Sequence, residues 1–300
     1  MAYLLLRAVW AALALLPLAV TRRALESLSS VIGRWDRRHR EVIARNLSIA
    51  FPELSGAERD RITDQAFRNW GRIAAELVHS AAVVDSAERG WVGEVEAVAT
   101  GLLREGTGLL VLTAHIGNFE LVARIWGVAT GRRISVLHRA MGNRFADGFL
   151  RRERAAMNVD TLERGVAARE ILVRLRAGGM LAAPLDQNQP PGRPGVFVDL
   201  FGRPAATATV LARLSVATGA PVLPVFAVWT DSGPDAVVGR PVLPPVGPIP
   251  VAQRAEVIHS LTAAYNREIE AAVRRHPDQW NWAHRRWKTR PEEPVKASRS

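Results

Sequence analysis

Short apolar runs that alternate with amphipathic stretches constrain this chain more than any other feature. Residues 109–113 read LLVLT, 134–137 ISVL, 159–162 VDTL, 180–185 MLAAPL and 221–229 PVLPVFAVW. Each is strand-length, and most carry no apolar–polar alternation, the mark of a strand buried on both faces. A further strand is expected at 237–243. Between the runs lie helical patterns at 120–127, 143–157, 166–177, 207–217 and 251–275, two of them stopped by glycine at 178 and 219. Strands alternating with helices argue for an α/β domain with a largely parallel sheet.

The first 80-odd residues are helical instead. Ser55 followed by Glu58 is a capping-box pattern, and Ile62, Ala66, Phe67, Trp70, Ile73, Ala74 and Leu77 line one face of the helix it opens. Ahead of it, residues 3–20 (YLLLRAVWAALALLPLAV) carry one charge, Arg7. That length approaches the about 20 residues that cross a bilayer core. The expectation is a membrane anchor or monotopic helix over residues 1–22. A cleaved signal peptide is the rival, against which stand the poor cleavage site at 18–21 and the deep Arg7; an interfacial amphipathic helix is another. Arg22, Arg23, Arg34, Arg37, Arg38 and Arg40 follow, which places the body on the cytoplasmic side. The plain reading of that run is a solvated helix face; beside an apolar anchor it also suits anionic headgroups.

Charge narrows the partners. The 300 residues hold 40 Lys and Arg against 29 Asp and Glu, a formal charge of +11, and only Lys288 and Lys296 are lysines. Arginine pairs bidentately with phosphate and carboxylate, so a polyanionic partner is implied: nucleic acid, an anionic membrane or a phosphorylated substrate. There is no cysteine, hence no disulfide, thiolate metal site or thiol nucleophile.

The densest chemistry is Thr113-Ala114-His115-Ile116-Gly117-Asn118-Phe119-Glu120, where a strand ends and a helix begins. Open α/β sheets place their sites at such strand ends. His115 and Glu120 would sit about 140° apart on a continuous helix. Gly117 supplies a turn that lets them meet, and Asn118 is a good N-cap. A carboxylate on one ring nitrogen would make the other a general base toward a hydroxyl. The plain alternative is a helix cap, a helix-start acid and a buried, satisfied histidine. Asp186-Gln187-Asn188 ends another strand and offers substrate contacts, or else turn chemistry before two prolines. Arg139 and Arg164 each follow a strand and suit a phosphate or an oxyanion, unless they are ordinary surface residues. Trp280-Asn281-Trp282-Ala283-His284-Arg285-Arg286-Trp287-Lys288 mixes indoles with cations. That suits a membrane interface, RNA stacking, or a C-terminal segment packed on the body. The chain has no G-x-S-x-G, P-loop, G-x-G-x-x-G or H-E-x-x-H.

Together these segments resemble the bacterial lipid A biosynthesis acyltransferases, lauroyl and myristoyl transferases whose wider group includes phosphatidylinositol mannoside acyltransferases. The likeness runs from Arg45-Asn46-Leu47 to Arg290-Pro291. It takes in Phe51-Pro52-Glu53, His115-x4-Glu120 with Gly117-Asn118, Arg139, Arg164-Gly165, Asp186-Gln187-Asn188, Gly195-Val196-Phe197-Val198, Phe201-Gly202-x-Pro204-Ala205 and His284-Arg285-Arg286-Trp287-Lys288-x-Arg290-Pro291. Two positions depart from the pattern: Asn188 where Asp is common, and His138-Arg139-Ala140 where an aromatic-Arg-Pro is usual.

The resemblance implies an αβα sandwich with an acyl groove, in a domain over 23–290 with a frayed tail at 291–300. It implies His115 as general base and Glu120 as its partner, with Arg164 or Arg139 on the oxyanion and Gly117, Asn118, Asp186, Gln187 and Asn188 at the substrate. The donor would be an acyl carrier protein or CoA thioester, with no metal or bound cofactor. The acceptor would be an anionic glycolipid such as a lipid A precursor, at the cytoplasmic side of the inner membrane. Three rivals are a non-catalytic lipid-binding protein of the same fold, an esterase or thioesterase using the same dyad, and a nucleic-acid binder, against which the apolar N-terminus argues.

Overall fold

The structure, a computed structural model, describes residues 2–88, 92–103, 107–129, 132–138, 144–163 and 168–291. Its helical N-terminal part comprises α1 (Ala2–Ala14), α2 (Leu18–Trp35), α3 (Arg37–Ala50), α4 (Gly56–Val78), α5 (Ser80–Glu88) and α6 (Val92–Leu102). The alternating part follows: β1 (Leu109–Thr113), α7 (Phe119–Ala129), β2 (Ile134–His138), α8 (Arg144–Ala155), β3 (Val159–Glu163), α9 (Ala168–Arg176) and β4 (Met180–Pro184). Then come β5 (Gly195–Leu200), β6 (Arg203–Ala208), α10 (Val210–Thr218), β7 (Val222–Thr230), β8 (Gly233–Val238) and α11 (Arg254–Arg275).

Six strands form one sheet in the order β3-β2-β4-β1-β7-β8, and only β8 runs antiparallel to its neighbour. Side chains of alternate residues leave opposite faces of a strand, and both faces are covered. Leu110 and Leu112 of β1 join a core with α3, α4, α9, α10 and α11, whereas Leu109 and Val111 join one with α5, α6 and α7. The fold is therefore mixed α/β, with a mostly parallel central sheet between helical layers.

Three expectations need correction. Residues 3–20 do not make one membrane-length helix. Pro17 has no amide hydrogen to continue the ladder, so α1 ends at Ala14 and α2 starts at Leu18. At 1.5 Å per residue, the 13-residue α1 is about 20 Å long, short of the about 30 Å of a bilayer core. Among the described residues no helix is long and apolar enough to cross a membrane. Second, residues 195–208 form an antiparallel hairpin outside the main sheet, so the helix expected from 207 begins at Val210. Third, the last strand falls at Gly233–Val238, set by its tight turn from β7 rather than by the apolar run after it.

The capping box forms as expected: the Ser55 hydroxyl accepts from the Glu58 amide, and Glu58 reaches back to the Ser55 amide at 2.8 Å. Helix α4 meets α2 at Gly71, where an added Cβ would lie 2.2 Å from the carbonyl oxygen of Leu25. That contact leaves the other face of α2 outward. Val20, Leu28, Val31, Ile32 and Trp35 are all exposed there, within about 120° of arc at 100° per residue.

Candidate active site

Strand order assembles the site. Strands β1 and β4 are parallel neighbours, with Thr113 beside Pro184. His115 and Asp186 each lie two residues past that pair, so they emerge together at the C-terminal edge of the sheet. Between β1 and α7 the chain must reverse quickly. Gly117 does this at φ +51°, against the carbonyl oxygen of Ala227, which would lie 2.3 Å from a Cβ at that position. Only glycine takes both the left-handed backbone and that approach without strain.

The imidazole is clamped. Asp186 accepts from the His115 backbone amide at 3.0 Å through Oδ2, and its Oδ1 lies 2.8 Å from Nδ1. The indole of Trp280 donates to the same carboxylate at 2.8 Å, and the Asn281 amide donates to the His115 carbonyl at 2.9 Å. The Phe119 ring lies 4.5 Å from the imidazole, centre to centre. Asp186 is buried. Burial by itself would raise its pKa, but the adjoining His115 and the hydrogen bonds from His115 and Trp280 prevail. They hold the carboxyl well below the ordinary carboxylate range. An ionised acceptor on Nδ1 fixes the proton there and turns the Nε2 lone pair outward.

On the Nε2 side, 3.3 Å from the Gln187 amide nitrogen, lies a cavity of about 380 Å³. Its inner wall is apolar: Val122 and Ala123 of α7, Val136 of β2, Leu150 of α8, Val159 of β3 and Ala182 of β4. Its polar residues include His115, Glu120, Arg154, Gln187, Asn281 and Thr113.

The candidates from sequence divide accordingly. Glu120 lines the cavity, but the carboxylate on Nδ1 belongs to Asp186. Glu120 instead takes a bidentate ion pair from Arg154 of α8, with Nε to Oε2 at 3.0 Å. The reason is geometric: the first turn of α7 faces α8, whereas β4 lies directly beside β1. Asp186 therefore sits behind the imidazole and is not part of the cavity lining. Asn118 does not cap α7 through its side chain; it is buried and donates to Glu76 at 2.8 Å. The Asn188 side chain is engaged with Thr289, and its amide donates to Nε2 of His284 at 3.0 Å. Gln187 does face the cavity. Arg139 and Arg164 lie outside the described residues, as do residues 292–300 of the expected tail.

Two supports had little or no signal in the sequence. Glu76, buried on α4, accepts from Arg72, Asn118 and the Trp229 indole, tying α4 and β7 to the loop between β1 and α7. A carboxylate three residues after Ile73, on the apolar face, was its only mark. The tryptophan-rich segment is the packed alternative. Trp280, Trp282 and Trp287 are buried, and Ile116 bridges to Trp280. Arg286 is buried against Ala206 and Thr207 of β6, and burial pushes its pKa down to about 10 despite the pull of Asp186.

A hydrogen-bonded imidazole–carboxylate pair thus opens on an apolar slot at the strand ends of a parallel sheet, the arrangement of an α/β enzyme. Residues 1–289 match the family described as "Bacterial lipid A biosynthesis acyltransferase". The chain belongs to that family, and it is an acyltransferase. It is 29% identical over 286 residues to the lipid A biosynthesis lauroyltransferase of Escherichia coli (strain K12), covering 92% of this chain and 88% of that one. It is 30% identical over 279 residues to the palmitoleoyltransferase of the same strain, covering 88% and 85%. To the strain's myristoyltransferase it is 25% identical over 288 residues, covering 94% and 85%.

Proposed function

We propose that the protein transfers a fatty acyl chain from an acyl thioester, on acyl carrier protein or CoA, to a hydroxyl of a membrane glycolipid such as a lipid A precursor. The observation that carries this reading is the orientation of His115: Nδ1 on a buried carboxylate, Nε2 toward an apolar slot. Nε2 takes the proton of the acceptor hydroxyl as its oxygen attacks the thioester carbonyl. The tetrahedral intermediate collapses with cleavage of the C–S bond, and the imidazolium returns the proton to the thiolate. Asp186 stabilises the imidazolium between those steps. A positioned general base contributes about 10²–10⁴-fold, or about 3–5.5 kcal/mol. Glu120 holds Arg154 at the slot. The apolar wall holds the acyl chain and excludes water, which favours transfer over hydrolysis.

The same proposal includes attachment to the cytoplasmic face of the inner membrane, which α2 supports rather than a spanning helix. Its exposed stripe from Val20 to Trp35 is flanked by Arg23, Arg34, Arg37 and Arg38, an arrangement suited to lying in an anionic interface. The test is direct. Purified protein is mixed with vesicles holding a lipid A precursor and with acyl donor, and lipid masses are followed. The expected product gains one acyl group, and His115→Ala and Glu120→Ala lose turnover. Wild-type rates in His115→Ala, or no acylated lipid with either donor, overturn the proposal.

A further inference from the structure

A second cavity of about 380 Å³ lies between α3 and the C-terminal segment. Arg38 and Arg45 line it from the helix, Arg285, Lys288 and Arg290 from the segment, and Glu41 is the single carboxylate. No ion pair or side-chain hydrogen bond among the described residues engages any of the five cations. Five cations around one small cavity repel one another, a cost that a bound anion removes. Trp287 also lines this cavity; it is nine-tenths buried, and its indole nitrogen has no hydrogen-bond partner.

We propose that this cavity is a binding site for a phosphoryl group, held by the arginine forks and the Lys288 ammonium. Arginine matches phosphate in shape as well as charge, and a phosphate monoester brings about two negative charges and three acceptor oxygens. Two indoles separate the site from the His115–Asp186 pair. The rings of Trp287 and Trp280 are 6.3 Å apart, and Trp280 donates to Asp186 at 2.8 Å. The proposal rests on the acyl-transfer reading only for the two phosphoryl sources it considers, a phosphorylated sugar of the acceptor or the nucleotide end of a CoA donor.

Full-length protein is titrated calorimetrically with inorganic phosphate, glucosamine 1-phosphate and adenosine 3′,5′-bisphosphate, at low and at physiological salt. At least one phosphorylated organic probe is expected to bind more tightly than inorganic phosphate. Its affinity should weaken at least tenfold in Arg45→Gln/Arg285→Gln, and no more than about twofold in Arg176→Gln/Arg203→Gln. The second variant loses the same charge at exposed positions elsewhere, and melting curves check that both fold. Preference for the sugar phosphate assigns the site to the acceptor, and preference for the bisphosphate to the donor. Absence of binding by all three probes, or equal loss in the two variants, overturns the proposal. Because binding needs no turnover, a protein that acylates lipid yet binds no probe defeats this inference alone. One that binds a probe and acylates nothing leaves the site standing and defeats the proposed reaction.

Discussion

Replacing Asp186 by asparagine changes the least volume and tests the most chemistry. In the wild type the carboxylate accepts from the His115 amide, the Trp280 indole and Nδ1. Two of those donors are fixed N–H groups, so the asparagine oxygen is drawn to them. Its NH2 is then presented to Nδ1, which can only accept from it. That reverses the tautomer, moves the proton to Nε2 and removes the lone pair from the slot. The imidazolium also loses its buried counter-charge. Loss of a general base lowers kcat by about 10²–10⁴, equivalent to about 3–5.5 kcal/mol in the barrier. Asp186 contributes nothing to the cavity wall, so KM should change less than about threefold. That split separates a positioning role from a merely structural one, because a loosened site would change both constants. The assay is thiol release from the donor in the presence of lipid acceptor, with product masses and a melting curve. An Asp186→Asn enzyme that folds and retains kcat within tenfold of wild type would refute the clamp.

Other outcomes follow from the same geometry. Glu120→Gln removes the carboxylate from a bidentate pair whose side chains are each 12% exposed. The fold should lose about 3 kcal/mol, the low end for breaking a buried pair, read as a lower melting temperature; an unchanged one contradicts the assignment. For His284, burial lowers the pKa against the opposing pull of Asp186, and His115, Arg286 and Lys288 add smaller lowering contributions. The unfolded chain therefore takes up protons before the folded one. This contribution to stability is complete above about pH 6.5 and is lost as pH falls through the folded-state value. Melting temperature should fall more steeply below pH 6.5 in wild type than in His284→Gln, and parallel curves would count against it. Leu28→Glu/Ile32→Glu should weaken flotation with anionic vesicles at least tenfold, since burying each apolar side chain contributes about 1.5–3 kcal/mol. Undiminished flotation would remove α2 from the interface.

Much of this was legible in the residues alone. The β1, β4 and β7 strands stand where apolar runs without alternation required burial on both faces, and β2 and β3 stand where shorter strand-length runs were read. The Ser55–Glu58 cap and the turn at Gly117 are local chemistry, decided within a few residues. So is the placement of His115 at a strand end. Tertiary structure alone decided which carboxylate reaches Nδ1. Asp186 is 71 positions from His115, and nothing in spacing shows that β4 inserts between β2 and β1. The five-residue spacing to Glu120 suggested a partner that α8 claims through Arg154. The break at Pro17 divided an apolar stretch that composition read as continuous, and the hairpin at 195–208 formed because its two halves pair with each other. Burial of Trp280, Trp282 and Trp287 reversed the interfacial reading of their neighbours, because hydrophobicity says that an indole seeks cover and leaves open whether lipid or protein provides it. Local sequence determines what each segment can become; the order of strands, which local forces do not encode, determines which side chains meet.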